Sequence, residues 1–478
     1  MKHNTESEAV QQPPAPGFVV SVLPIAFLLA SLVGIIIFCG ADAISSYSPV
    51  MLLGSAALAL VLTLATRKWH FGSMRAGMIT AAQQIMPAVL LLALIGLVAT
   101  TWMLSGLVPT LIEYGLMCLN PRFFLVITCA VCAFVSVLTG SSWTTIATMG
   151  VAFMGIGSAM GYGEGWIAGA IISGAYFGDK ISPLSDTTVV ASSSCGVDLF
   201  THIRYLAVTT VPSIVLALIV FTVAGLMTGS TGAGDTEALP ELLRATFNIT
   251  PWLLVIPVVT VALIVLRVRT PLVLAVSAAL GVVAMYVFQP QIMADVNIFH
   301  ALWSDTTFDT GVARVDDLVS TSGFMGMMST IELVLSAMVF GGVMIGSGML
   351  RSISSAFVKR LRHRTAIVGA TVGSGLCLNG FTADQYLSLI VGANIYRDVY
   401  KRFSLEPRLL SRTLEDSVSV TSVLIPWNSC GVTQSAVLGV STMVYLPYCV
   451  FNWVSPLMSL LIVATGYRIV AHRTQPAV

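Results

Sequence analysis

The sequence predicts an all-α polytopic membrane protein of about 10 to 12 helices, arranged as two inverted repeats with re-entrant hairpins and broken transmembrane helices. Three observations predict it. Hydrophobic residues fill 56% of the 478 positions and charged residues only 9%, where a soluble domain carries about 25% charged residues; mean hydropathy is +0.90. Apolar runs able to cross about 30 Å of hydrocarbon recur along the chain. Within that apolar background, each half is interrupted twice by small polar residues, the second time around a proline.

Taken in order, residues 1–17 are polar and contain Pro13, Pro14 and Pro16, which predicts a disordered cytoplasmic tail. Phe18 to Cys39 is the first span. Ala41, Asp42 and Ala43 resemble a signal-peptidase site, but the run before them is longer than the roughly 7 to 15 residues of a signal core, so the span is read as retained. Val50 to Thr66, Ile79 to Thr101, Phe123 to Leu138 and Ile203 to Met227 complete the apolar runs of a first half spanning 18–230. An outward-facing loop, 231–250, separates it from a second half at 251–467, with runs at Leu253 to Leu266, Leu272 to Phe288, Ile331 to Met344 and Val432 to Val463; 468–478 form a C-terminal tail.

Orientation follows the basic residues, which favour the cytoplasmic side. Arg67, Lys68 and Arg75, then Arg267 and Arg269, Arg351 with Lys359 to Arg364, Arg397 to Arg412, and Arg468 with Arg473 mark that face. The opposite loops are acidic, with Asp235, Glu237 and Glu241, then Asp295, Asp305, Asp309, Asp316 and Asp317. Both termini are therefore expected inside the cell, in the inner membrane. A net charge of +1 gives no reason to expect nucleic acid as a partner; the bilayer is the partner that composition requires.

The polar interruptions come in pairs. Thr139 to Thr145 reads T-G-S-S-W-T-T, and Pro183 follows within S-P-L-S-D-T-T at 182–188. In the second half, Leu378 to Gln385 reads L-N-G-F-T-A-D-Q, and Pro426 follows within I-P-W-N-S-C-G at 425–431. Duplicated interruptions of this kind mark the midplane site of secondary transporters. Between the basic segments around Arg364 and Arg397 too few residues remain for two full crossings, which need about 20 each. A re-entrant hairpin is predicted there, its tip near 378–385 at Gly380 to Asp384, with a companion tip near 139–145. Aligning Gly140 with Gly380 places the repeats 240 residues apart.

Proline removes a backbone donor, and Pro183 and Pro426 are expected to free the carbonyls of Asp179 and Ser422. Such carbonyls, Ser and Thr hydroxyls and an Asp carboxylate form an all-oxygen shell suited to a hard cation such as Na+. Ionisable residues within a span are functional candidates by default. The strongest are Asp179 and Asp186 around the Pro183 break and Asp384 at the second tip, with Ser185 and Thr187 beside the first break. Glu415 and Asp416 open E-D-S-V-S-V-T-S-V-L-I-P-W-N, whose hydroxyls and Asn428 can line a path; Glu332 stands alone in its span, and His202 opens a cytoplasmic helix. A buried Asp179–Lys180 pair is the structural alternative for the first acid.

Other classes find little support. The chain lacks H-E-x-x-H, a nucleophile elbow and a Walker A sequence, so no enzyme and no ATP-driven pump is predicted. The eight cysteines are scattered and outline no disulfide framework. No resident cofactor is expected; the ions Na+ and H+ are cargo. An oxygen-lined break also suits a channel, which saturable counterflow would distinguish.

The stretch Ser173 to Tyr205, with S-G-A-Y-F-G-D-K-I-S-P-L-S-D-T-T followed by G-V-D-L-F-T-H-I-R-Y, resembles the NhaC family of sodium/proton antiporters. Gly140 to Thr145, T-A-D-Q-Y-L at 382–387 and Leu414 to Gly431 also resemble that family, so the likeness runs from about residue 20 to 465. It implies the fold of the ion transporter superfamily, a homodimer, and movement of an elevator-like kind. It also implies cation ligands among Ser141, Ser142, Thr144, Asp186 and Thr187 in one half and Thr382, Asp384, Asn428 and Ser429 in the other. After S-D-T-T the family pattern has Asn and small residues, whereas this chain has Val189 and Val190. The resemblance therefore leaves a second cargo open: Na+- or H+-coupled exchange of a small organic solute such as malate, lactate or an amino acid.

Overall fold

The computed structural model describes residues 16–39, 44–66, 71–228, 239–266, 268–307, 320–358 and 363–466. The tails at 1–15 and 467–478 and the loop charges Asp235, Glu237, Asp309, Asp316 and Asp317 lie outside them. The described chain is helical, with one isolated bridge between Thr306 and Thr321.

The first half contains α1 (Phe18–Cys39), α2 (Ile44–Ala65), α3 (Phe71–Leu104), α4 (Leu107–Cys118), α5 (Phe124–Thr139), α6 (Ser142–Thr145), α7 (Val151–Ala159), α8 (Glu164–Ile181), α9 (Asp186–Ser194) and α10 (Leu199–Thr228). After α11 (Leu239–Thr246) come α12 (Val255–Val265), α13 (Thr270–Phe288), α14 (Pro290–Asp295), α15 (Ile298–Trp303), α16 (Met328–Gly346) and α17 (Met349–Val358). The chain ends with α18 (Arg364–Thr382), α19 (Gln385–Arg402), α20 (Pro407–Leu414), α21 (Ser429–Leu438), α22 (Thr442–Tyr445) and α23 (Val450–Thr465). Among the described residues six helices are long and apolar enough to cross a bilayer, and two bent pairs raise this to eight. This is an all-α polytopic membrane protein. Apolar side chains such as Val19, Phe38 and Met227 stand exposed on those helices, where the surrounding medium is hydrocarbon.

Two apolar runs depart from the sequence expectation. Past Thr101, the end of α3 and all of α4 meet at 68°, because Gly106 adopts φ 77 between them. The run from Val432 to Val463 is three pieces: Gly439, at φ 68, ends α21, and the chain bends by 54° before α23. Apolar composition says nothing about such bends; a left-handed glycine makes the first, and Cys449, at φ −75 and ψ 66, makes the second.

The paired interruptions repeat at their tips and breaks, while each half carries a π turn at a position the other does not. In the first half α5 turns at Gly140 into α6, which runs through a π turn (Ile146–Gly150) into α7; α8 then stops at Ile181, and α9 begins beyond the break. In the second half α18 turns at Ala383 into α19, α20 runs through a π turn (Glu415–Ser419), and α21 begins beyond the break. A constant offset of 243 residues relates Gly140 to Ala383, Ser141 to Asp384, Pro183 to Pro426 and Ser185 to Asn428. The expected 240-residue alignment of Gly140 with Gly380 is therefore wrong by three: Gly380 lies inside α18, and the residue that turns the second hairpin is Ala383, at φ 56.

Candidate functional site

Each hairpin tip is closed by the same set of local bonds. Thr139 Oγ1 accepts the Ser141 N–H at 3.1 Å and donates to the Ser141 carbonyl at 3.2 Å, to which Thr145 Oγ1 also donates at 3.0 Å. At the corresponding positions, Thr382 Oγ1 accepts the Asp384 N–H at 3.3 Å and donates to its carbonyl at 2.8 Å, with Ser388 Oγ donating there at 2.8 Å. The next helix is then capped, Ser141 Oγ accepting the Thr144 N–H at 3.2 Å and Asp384 Oδ1 the Leu387 N–H at 3.0 Å.

At the breaks, the helix that follows is again capped by a side chain: Ser185 Oγ accepts the Thr188 N–H at 3.4 Å and Asn428 Oδ1 the Cys430 N–H at 3.1 Å. The carbonyls expected to be free are occupied. Asp179 O accepts from Ser182 N at 3.4 Å and Ser422 O from Ile425 N at 3.3 Å, because the chain tightens into a turn before each proline. The oxygens available to a cation are thus mainly on side chains.

Tip and break meet at the acids. Asp179 is 8% exposed; Ser142 Oγ of the first tip donates to its Oδ2 at 2.7 Å and Ser185 Oγ of the break to its Oδ1 at 2.6 Å. Asp384 is buried, and Ser429 Oγ, from beyond the second break, donates to its Oδ2 at 3.2 Å. The 243-residue register makes these sites equivalent with acids and polar groups exchanged. Ser422 and Gln385, bonded at 3.3 Å, stand where Asp179 and Ser142 do, while Ser141 and Asp186 stand where Asp384 and Ser429 do.

Both tips and the first break line one cavity of about 730 Å³, which Thr139, Gly140, Ser141, Trp143, Thr144, Asp179, Asp186, Asp384, Gln385 and Tyr386 edge on the polar side. Its apolar wall comes from α3, α12 and α13, with Arg269 the cation among its lining residues. Thr144 Oγ1 touches Thr270 Oγ1 of that wall at 3.1 Å. Asp186 opens α9 with an exposed side chain on this cavity.

Of the sequence-derived candidates, Ser141, Thr144, Asp179, Asp186 and Asp384 line the cavity, and Ser142, Ser185 and Ser429 lie one hydrogen bond behind as partners of its acids. Thr382 secures the second tip. Asn428 caps α21 and donates through Nδ2 to Asn379 O at 2.9 Å. Thr187 is buried with its Oγ1 2.9 Å from Ser185 Oγ. Asp416 does not line the cavity: it is ion-paired to Lys180 on the far side of α8. The Asp179–Lys180 pair considered as an alternative is therefore not the one formed. His202, expected at a helix start, is fully buried with Nδ1 2.8 Å from Ser411 Oγ. The side chains of Gln385 and Ser422 are not among the sequence-derived candidates, although the first is placed in the tip and the carbonyl of the second at the break; anchoring the repeats on Pro183 and Pro426 instead of on the glycines finds both. Among the described residues no group of three or more His, Cys, Asp or Glu side chains could hold a metal ion.

Comparison with known proteins identifies the family. The family described as the Na+/H+ antiporter family matches residues 5–195 and 174–467. The chain is 38% identical over 374 residues to the Na+/H+ antiporter NhaC of Alkalihalophilus pseudofirmus, covering 78% of this chain and 80% of that protein. It is 37% identical over 385 residues to the malate-2H+/Na+-lactate antiporter of Bacillus subtilis, covering 80% and 81%. It is 32% identical over 457 residues to the arginine/ornithine antiporter ArcD of Halobacterium salinarum, covering 95% and 93%. A match spanning both hairpins and both breaks, carried by relatives along most of their length, places this chain in the Na+/H+ antiporter family.

Proposed function

We propose that this chain exchanges Na+ for H+ by alternating access, with Asp179, Asp186 and Asp384 as the groups for which the two ions compete. One observation carries the reading: acids from both halves of the chain face a single cavity, and the two buried ones, Asp179 and Asp384, are held by hydroxyl donors from a hairpin tip and from the helix breaks. A carboxylate so placed offers oxygens to Na+, and protonation takes that charge away. Because the same oxygen cannot hold both ions, loading one releases the other. Ser141, Ser142 and Thr144 in one half, and Thr382, Asn428 and Ser429 in the other, supply neutral oxygens or position the acids that do. Transport, not catalysis, is the activity, and it needs no resident cofactor.

The same reading puts the protein in the inner membrane with both termini in the cytoplasm, as the basic residues suggest, and as a homodimer, as the family resemblance implies. The test is a Na+ gradient imposed on proteoliposomes with an interior pH dye. Sodium alone is expected to drive proton movement, and Asp186→Asn to reduce it. Movement only when malate, lactate or a basic amino acid is added would replace cation exchange by organic-solute exchange; the cavity volume and Arg269 leave room for such a solute. Ohmic current without counterflow would point to a channel.

A further inference from the structure

The charges behind the cavity break the internal repeat. At the 243-residue offset Lys180 corresponds to Val423 and Asp416 to Ser173, so this ion pair exists once in a site whose other parts are duplicated. Both side chains are buried, at 1% and 0% exposure, where an ion pair adds little stability over apolar side chains of similar size.

Its geometry joins four elements. Lys180 Nζ pairs with Asp416 Oδ1 and donates to Ser455 Oγ of α23 at 2.7 Å. Thr209 Oγ1 of α10 donates to the same carboxylate oxygen at 3.0 Å, as does Ser455 Oγ at 3.2 Å. One oxygen on the π turn after α20 thus gathers α8, α10 and α23. The other, Oδ2, has no hydrogen bond and faces Arg412 Nε at 3.9 Å. Arg412 is fully buried against the Tyr205 ring, 4.6 Å from its centroid, and its three nitrogens have no hydrogen-bond partner.

The placement matters because α8 ends here. Asp179 and Lys180 are neighbours in its last turn, and the break at Ser182 follows. The helix cannot hold that turn from the C-terminal side, since Pro183 interrupts it. Side-chain ties must do so, and Lys180 supplies the charged one, directed away from the cavity that Asp179 lines.

We propose that Lys180 is a positioning residue: its ion pair with Asp416 fixes the last turn of α8, and with it the Asp179 carboxylate, against the broken helix of the other half, while Arg412 stands as a second partner for Asp416. The proposal rests on the transport reading above.

The experiment compares full-length wild type, Lys180→Met, Asp416→Leu, Lys180→Met/Asp416→Leu and Lys180→Arg in proteoliposomes, measuring the Na+ concentration for half-maximal proton movement (KM), the maximal rate, and thermal stability in detergent. The double variant replaces the pair with apolar side chains of comparable size and is expected to fold. Its KM should rise about tenfold, since small displacements of a binding group are felt strongly, with a maximal rate within about threefold of wild type. Lys180→Arg should keep KM near wild type. Asp416→Leu alone should be less stable than Lys180→Met alone, because it takes from buried Arg412 the carboxylate it faces and leaves Lys180 only the neighbouring buried Glu415, whereas Lys180→Met leaves Arg412 facing Asp416. An unchanged KM in the folded double variant overturns the proposal, as this is what a purely structural pair would give. Equal destabilisation by the two single substitutions overturns the role of Arg412. If the double variant does not fold, Lys180→Met carries the same KM test. Failure of the wild type itself to move protons in response to Na+ removes the transport reading and this inference with it.

Discussion

A carboxylate inside a membrane protein must be matched by donors or by a cation, and at Asp179 the donors are two serines, one from the first hairpin tip and one from the break. Hydrogen bonds to a charged group are worth about 1.5–3 kcal/mol, so Ser142→Ala or Ser185→Ala is expected to weaken Na+ affinity more than it weakens the fold. Asp179→Asn and Asp384→Asn keep the size and most of the hydrogen bonding while removing the charge for which Na+ and H+ compete in the proposed exchange. Each is expected to yield folded protein and to slow Na+-driven proton movement by about a hundredfold, measured by the interior pH signal. The turning residues offer a contrast that the repeat itself sets up. Gly140 has φ 68, and a Cβ there would lie 2.6 Å from the Leu184 carbonyl carbon, so Gly140→Ala should abolish the first tip and with it transport. Its counterpart Ala383 already tolerates φ 56. Ala383→Gly relieves that strain and is expected to change stability by no more than about 1 kcal/mol, with transport intact.

Among the bonds that tie each hairpin to its crossing helix, one comes from a pair of equivalent polar residues, again 243 residues apart. Ser136 Oγ donates to Ala175 O at 2.5 Å, and Asn379 Nδ2 to Val418 O at 2.7 Å and to Thr421 Oγ1 at 3.2 Å. Asn379→Ala removes two bonds from a buried site and is expected to cost about 1–3 kcal/mol, read as a larger fall in melting temperature than Ser136→Ala produces. Close backbone approach does the rest between α5 and α8. A Cβ at Gly174 would stand 2.1 Å from Cys129 O, so the glycine there is a packing requirement. Much of this level was legible in the sequence. A broken membrane helix leaves compositional marks, and Thr139 to Thr145, Pro183, Thr382 to Asp384 and Pro426 all displayed them. What was not legible were partnerships across space: Ser142 with Asp179, 37 residues apart, and Lys180 with Asp416, 236 residues apart. No periodicity links such residues. The bends at Gly106 and Cys449 were hidden for another reason, since an apolar run reads the same whether straight or folded.

At the scale of the whole molecule, the repeat explains why one cavity receives acids from both ends of the chain: each half contributes a capped tip and a capped break, and the acid occupies the break side in one half and the tip side in the other. The thermodynamic consequence is a coupling between cation, proton and fold. An ion that binds only the folded state stabilises it in proportion to the logarithm of its concentration over its dissociation constant, about 2.7 kcal/mol at a hundredfold excess. In the proposed exchange a proton takes the place of Na+, so this stabilisation should be large at alkaline pH and shrink as pH falls. Melting curves of the detergent-solubilised protein in Na+ against choline, at several pH values, measure it directly. The Na+-dependent rise should disappear in Asp384→Asn at every pH. A rise of equal size in choline would mark an ionic-strength effect, and a Na+ effect that grows with acidity would reverse the competition on which the exchange depends.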